Sequence, residues 1–166
     1  MLLIIGMLIV LLSGAANKYP VVDNTPVADF DVERFLGKWY EIARFDSRFE
    51  KDMQFVHAYY YRNEDNTIHV ANKGAVDGES KLSVGKVKTT DTEGLLRVSF
   101  FPLIYSDFRI LYISEDYDLA LIGSEKSNRL WILSRESRIT DEQASDVLED
   151  AIGRGYDVGQ LNWITQ

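Results

Sequence analysis

Few residues in this 166-residue chain are equipped for chemistry. There is no cysteine, which removes disulfides, thiolate nucleophiles and cysteine metal sites together. The two histidines, His57 and His69, lie on either side of a turn and are too few for a His-rich metal cluster, so neither a metal nor another cofactor is expected. A Ser–His–acid triad lacks its signpost, because no Gly-x-Ser-x-Gly elbow occurs. What remains is a carboxylate in an odd place. In "GKWYEIARFDSRFE" (37–50), alternation puts Trp39, Glu41, Ala43 and Phe45 in one row of a strand, and Tyr40, Ile42 and Arg44 in the other. Both rows carry apolar bulk, and Glu41 shares its row with a tryptophan. A carboxylate in apolar surroundings must be hydrogen-bonded, protonated or wet. With Tyr60 it makes the one acid/base pair that catalysis could use.

The elements that place Glu41 are strands. Aromatic residues make up 12 % of the chain, a composition that suits strands better than a helical bundle. Strand patterns fall at 38–46, 54–62, 67–74, 81–89, 95–101, 107–114, 117–123 and 129–135. Turn residues join them, among them "NEDN" at 63–66, "DG" at 77–78 and "DTEG" at 91–94. A short helical turn, "DVERFLG", precedes the first strand and ends at Gly37. One amphipathic helix follows the last, N-capped by Thr140 and ended by Gly153 and Gly155, and a short strand is expected at 161–165. Eight antiparallel strands with short links predict an all-β up-and-down barrel with room for one small ligand, the open two-sheet sandwich being the other reading.

Length and charge narrow the function. The chain suffices for one domain with a sizeable core. A net charge of −8 repels phosphate backbones, so nucleic acid is not an expected partner, and neither is binding to anionic lipid by charge alone. Residues 1–16, "MLLIIGMLIVLLSGAA", are uncharged and apolar and too short to span a bilayer comfortably. They read as a cleaved secretion signal, an uncleaved anchor being the alternative. Residues 17–28 read as an extended, poorly ordered linker and 29–166 as the folded domain.

Several motifs now fall into an order. Gly37, Trp39 and Tyr40 form G-x-W-Y after the short helical turn, Asp116 and Tyr117 lie in the "SEDY" turn, and Arg135 ends "LWILSR". This set resembles the three motifs of the lipocalin family. The wider text, "FLGKWYEIARFDSRFE", "LRVSFF" and "GYDV", is similar to bacterial lipocalins of the outer-membrane lipoprotein type and, more distantly, to apolipoprotein D, over about residues 29–166. The resemblance implies that Trp39 and Arg135 meet at a closed barrel base as a structural cation–π cap. It also implies that the Trp39 row faces the lumen, so that Glu41 and Ala43 line a ligand site, with Asn72 or Tyr60 as the polar neighbour of Glu41. Alternation then adds Ala58, Val70, Leu96, Val98 and Phe100 from the following strands. From the last strands it adds Phe108, Ile110, Tyr112, Trp131 and Leu133.

The resemblance implies a non-enzymatic carrier of a single-chain lipid, a fatty acid or lysophospholipid, serving cell-envelope maintenance. The alternative is a lipocalin-type enzyme acting on a hydrophobic substrate through Glu41 and Tyr60. Arg48 and Lys51 in the first mouth loop are candidate head-group contacts. The apolar stretch Phe101–Tyr105 is expected to form a loop near the mouth that closes over ligand, pairs two copies as a homodimer or touches a membrane surface. In the bacterial lipoproteins an acylated Cys follows "L-[small]-G". Here Ala15 holds that position, so export to the periplasm or outer membrane is expected without that lipid anchor.

Overall fold

Turn chemistry and alternation decide how the chain closes. The computed structural model describes residues 19–47 and 50–166; the expected signal at 1–16, including Ala15, and the rim residue Arg48 lie outside them. In order come α1 (Val32–Phe35), β1 (Gly37–Phe45), β2 (Gln54–Arg62), β3 (Ile68–Val76), β4 (Glu79–Thr89) and β5 (Leu95–Phe101). Then follow β6 (Ile104–Ile113), β7 (Leu119–Gly123), β8 (Leu130–Ser134), α2 (Asp141–Gly153) and β9 (Leu161–Trp163). Each strand from β1 to β8 pairs antiparallel with the next, and β8 returns to β1. The result is the closed eight-stranded barrel with one helix near the C-terminus.

Local signals explain the joints. Val76 pairs with Glu79, leaving Asp77 and Gly78 at φ 50 and 79, the two left-handed residues of a type I′ hairpin. The Phe101–Tyr105 stretch, expected as a loop, is mostly strand. Phe101 pairs with Ile104 around a two-residue turn at Pro102 and Leu103, which makes it a hairpin tip. Thr140 and Gln143 form a reciprocal capping box at the start of α2. The linker at 17–28 was expected to be extended and poorly ordered; its described residues, 19–28, are extended but tied down. Val27 N–H donates to the carbonyl of Ile110 at 2.8 Å, and the Asn24 amide donates to the carbonyls of Ser124 and Glu125 at 3.0 Å each.

Two apolar layers form. The inner one packs Phe35, Trp39, Tyr60, Val70, Leu96 and Ile110 in the lower barrel. The outer one packs Val147 and Ala151 of α2 against Ile42, Leu111, Leu121 and Ile132. Of the four register shifts in the barrel, those in β1 and β6 change the layer that a residue joins. In β1, Glu41 opposes Leu133 but Ala43 opposes Ile132, so one extra residue sits between them. Beyond it the alternation inverts: Ala43, expected in the lumen, lies in the outer layer, and Arg44 lines the lumen. In β6, Ile110 opposes Ile122 but Tyr112 opposes Leu121. Tyr112, also expected in the lumen, therefore packs outside near α2. The β1 bulge is held by the C-terminal segment. Ile164 N–H donates to the carbonyl of Ile42 at 2.9 Å, and the Gln166 amide donates to the carbonyl of Glu41 at 2.6 Å.

The three motifs meet at the closed base. The Arg135 guanidinium lies 3.9 Å over the ring of the fully buried Trp39. Its three nitrogens donate to the carbonyls of Tyr117, Lys38 and Arg34 at 3.1, 2.9 and 2.8 Å. Tyr117, at φ 58, accepts on its hydroxyl from the N–H of Asp31 at 2.9 Å. Arg135→Ala should therefore cost about 1–3 kcal/mol in urea unfolding, from the lost cation–π contact and the orphaned carbonyls. Arg135→Lys should recover only part of it, since an ammonium cannot reproduce the planar fork. An unchanged midpoint in the Ala variant would deny the cap its structural role.

Candidate functional site

Above that base the barrel stays hollow. A cavity of about 810 Å³ opens at the end away from Trp39. Glu41, Ala58, Tyr60, Val70 and Asn72 line it on one side, and Val98, Phe100, Phe108, Trp131 and Leu133 on the other. Leu96 and Ile110 belong to the packed layer of the inner core and do not reach the cavity wall. Sequence reading also missed several residues. Arg44 was assigned to the wrong row by the bulge. The inward row of β4, Lys81, Ser83 and Gly85, shows no apolar alternation, although pairing of Asn72 with Ser83 and Val70 with Gly85 places it inside. Gly85 has a visible reason. A Cβ there would sit 2.9 Å from the carbonyl oxygen of Ser99 and 3.0 Å from the Phe100 ring, so the ring lies directly on bare backbone.

The polar centre of the wall is Glu41. Its expected neighbours were Asn72 or Tyr60; its hydrogen-bond partner is Arg44. Arg44 Nη1 donates to Glu41 Oε1 at 2.6 Å and Nε donates to Asp46 Oδ1 at 3.1 Å. Nη2 donates to the carbonyl of Glu50, and to that of Met53 at 3.3 Å. The buried guanidinium thus ties the first mouth loop to the cavity wall. Loss of hydration pushes the Glu41 carboxyl up to about 7, and the pull of Arg44 only partly offsets it. Burial, helped by the charge of Glu41, pushes the Tyr60 hydroxyl well above its usual value. A phenol so reluctant to ionise makes a poor general base.

The rim holds more cations than carboxylates, although Glu50, Asp107 and Glu125 border it as well. Lys73, Lys81, Arg97, Lys126 and Arg129 all border the opening. Arg129 pairs with Glu50 at 3.3 Å and Arg97 with Asp107 at 3.6 Å. Lys73 and Lys126 have no ion-pair partner among the described residues. Beside the rim stands the β5–β6 tip, where Leu103 is 94 % exposed and Phe101 70 %. The site is therefore a largely apolar cup with one buried charge pair in its wall and an excess of cations at its lip.

Comparison with known proteins agrees with this geometry. A lipocalin-like domain model matches residues 30–166. The outer membrane lipoprotein Blc of Escherichia coli K12 is 39 % identical over 160 residues, covering 94 % of this chain and 90 % of Blc. Mouse apolipoprotein D is 27 % identical, with 92 % of this chain and 83 % of the relative covered. Among solved structures, insecticyanin from the tobacco hornworm Manduca sexta superposes with a TM-score of 0.73 at 19 % identity, over 89 % of this chain and 86 % of its own.

Proposed function

The chain belongs to the lipocalin family, and from that premise we propose that it is an exported, non-enzymatic carrier of single-chain lipid, a fatty acid or lysophospholipid, for maintenance of the cell envelope. One observation carries the reading: an apolar cavity of about 810 Å³, closed below by Trp39 and Arg135 and bordered above by lysines and arginines. That volume lies within the range of roughly 300–1,000 Å³ typical of small-molecule sites. An alkyl tail gains about 0.8 kcal/mol per buried CH₂. A sixteen-carbon tail brings roughly 12 kcal/mol, and after the costs of association an affinity near micromolar remains. The anionic part of the head group stays among the rim cations. Similarity to a relative named as an outer membrane lipoprotein supports an envelope location. The exposed Phe101–Ile104 tip gives the carrier its contact with a membrane surface, beside the mouth through which a tail would enter.

Organic extraction of the purified protein followed by mass spectrometry should release a single-chain lipid. A fluorescent fatty acid should bind, and Ala58→Trp, which drives a ring into the cavity, should weaken it tenfold or more while leaving the fold intact. Absence of both extracted lipid and probe binding would end the carrier reading.

A further inference from the structure

The wall of the cavity is not uniformly greasy, and its polar atoms are only partly used. Glu41 Oε1 is engaged by Arg44, while Oε2 has no partner among the described residues. Tyr60 is 5 % exposed, lines the cavity, and its hydroxyl makes no hydrogen bond among the described residues. The Asn72 amide, only half-buried, lines the cavity and likewise makes no hydrogen bond among the described residues. Strand register relates these groups. Tyr60 pairs with Val70 and Ala58 with Asn72, so Tyr60 and Asn72 are diagonal neighbours on the inner face, about 7–8 Å apart along the backbone. Glu41 stands two residues along β1 from Trp39, whose cross-strand partner is Ala58, while Tyr60 pairs with Gly37, two residues to the other side.

A plain alkyl chain packed against this patch would leave a carboxylate oxygen, a phenol and an amide facing hydrocarbon, an arrangement buried polar groups avoid. A hydroxyl on the chain suits such a patch, because it can donate to a carboxylate oxygen and accept from a phenol or an amide. Resting on the lipid-carrier reading above, we propose that Glu41, Tyr60 and Asn72 form a subsite for a mid-chain hydroxyl, and that the preferred guests are hydroxylated single-chain lipids.

The rim fixes which part of the guest arrives there. Cations at the lip hold an anionic head at the mouth, so the oxygen reaching Glu41 is borne by the tail. Glu41 lies four residues below Phe45, the last residue of β1, a path of about 13 Å along the strand and roughly 10 Å in depth after barrel tilt. With C–C bonds near 1.5 Å, an extended tail covers that depth in roughly eight to ten carbons. The favoured hydroxyl is therefore remote from the head group.

The test displaces a bound fluorescent fatty acid at pH 8 with stearate, 2-hydroxystearate and 10-hydroxystearate. The 10-hydroxy acid should displace the probe at a concentration about fivefold or more below that of stearate, while the 2-hydroxy acid matches stearate. In the Tyr60→Phe/Asn72→Leu double variant the advantage should shrink toward nothing, and an unaltered far-ultraviolet circular dichroism spectrum with a cooperative urea transition will show that the variant is folded. Equal displacement by all three acids in the native sequence would overturn the subsite and leave the carrier standing. So would an advantage that survives in the double variant. If the probe and all three acids fail to bind, the carrier reading falls and the subsite with it.

Discussion

Arg44→Ala is expected to lower unfolding stability by about 3–5 kcal/mol, the largest loss from any single polar replacement in the barrel wall. The side chain is 0 % exposed and serves two carboxylates and two loop carbonyls. Its removal leaves Glu41 buried without its counter-charge, and the carbonyls of Glu50 and Met53 without their donor. Each uncompensated group costs more than the original pair contributes over an apolar substitute. That asymmetry defines the control. Arg44→Met with Glu41→Gln removes both charges while keeping most of the volume, so it should be less damaging than Arg44→Met alone. Urea unfolding of the native protein, both single variants and the double closes a cycle, with midpoints and slopes both recorded. A cost below about 1 kcal/mol for Arg44→Ala would show that the loop is held by other means.

The architecture was legible because barrel strands announce themselves by alternation and turn chemistry. Asp77-Gly78 specified a hairpin, Thr140 specified a helix start, and Gly37, Trp39, Tyr117 and Arg135 specified the base. In β1 and β6 the inner wall was legible only up to the bulge in each strand. Below the β1 bulge, Trp39 and Glu41 face inward as alternation requires. Above it Ala43 and Arg44 exchange places, because one inserted residue inverts every side chain that follows. The exchange of Tyr112 for Ile113 in β6 has the same origin. Bulges have no compositional mark here, since the extra residues, Ile42 and Leu111, are apolar like their neighbours and pack into the outer layer. The partner of Glu41 was hidden for this reason alone: a basic residue three positions on reads as outward-facing until the strand kinks. The polar inward row of β4 was hidden for another reason, because an open mouth needs no greasy residues there.

The same kink gives the protein an unusual response to acid. In the folded protein the Glu41 carboxyl holds its proton up to about pH 7, whereas the unfolded chain releases it near the ordinary value of 4.5. Between these limits the folded state binds more protons, so stability must fall as pH rises. The contribution is fully present below about pH 4.5, declines through the interval, and is gone above about pH 7, a change on the order of 3 kcal/mol. His57 acts in the opposite sense over part of the window. Its partial burial and the nearby Lys38 lower its affinity for protons, so it adds stability as pH rises. Asp23 and Asp65, both held below the usual carboxylate range, matter only at more acidic pH. Unfolding followed from pH 5 to 8 should therefore show a net loss in the native protein. In Glu41→Gln the loss should vanish and leave the shallow rise due to His57. In Arg44→Ala it should grow at the alkaline end, where the carboxylate has no buried counter-charge, and the penalty of that variant should be smaller at pH 5 than at pH 8. A native profile that is flat or rises, matched by Glu41→Gln, would mean that Arg44 outweighs burial and that the carboxylate is ionised throughout.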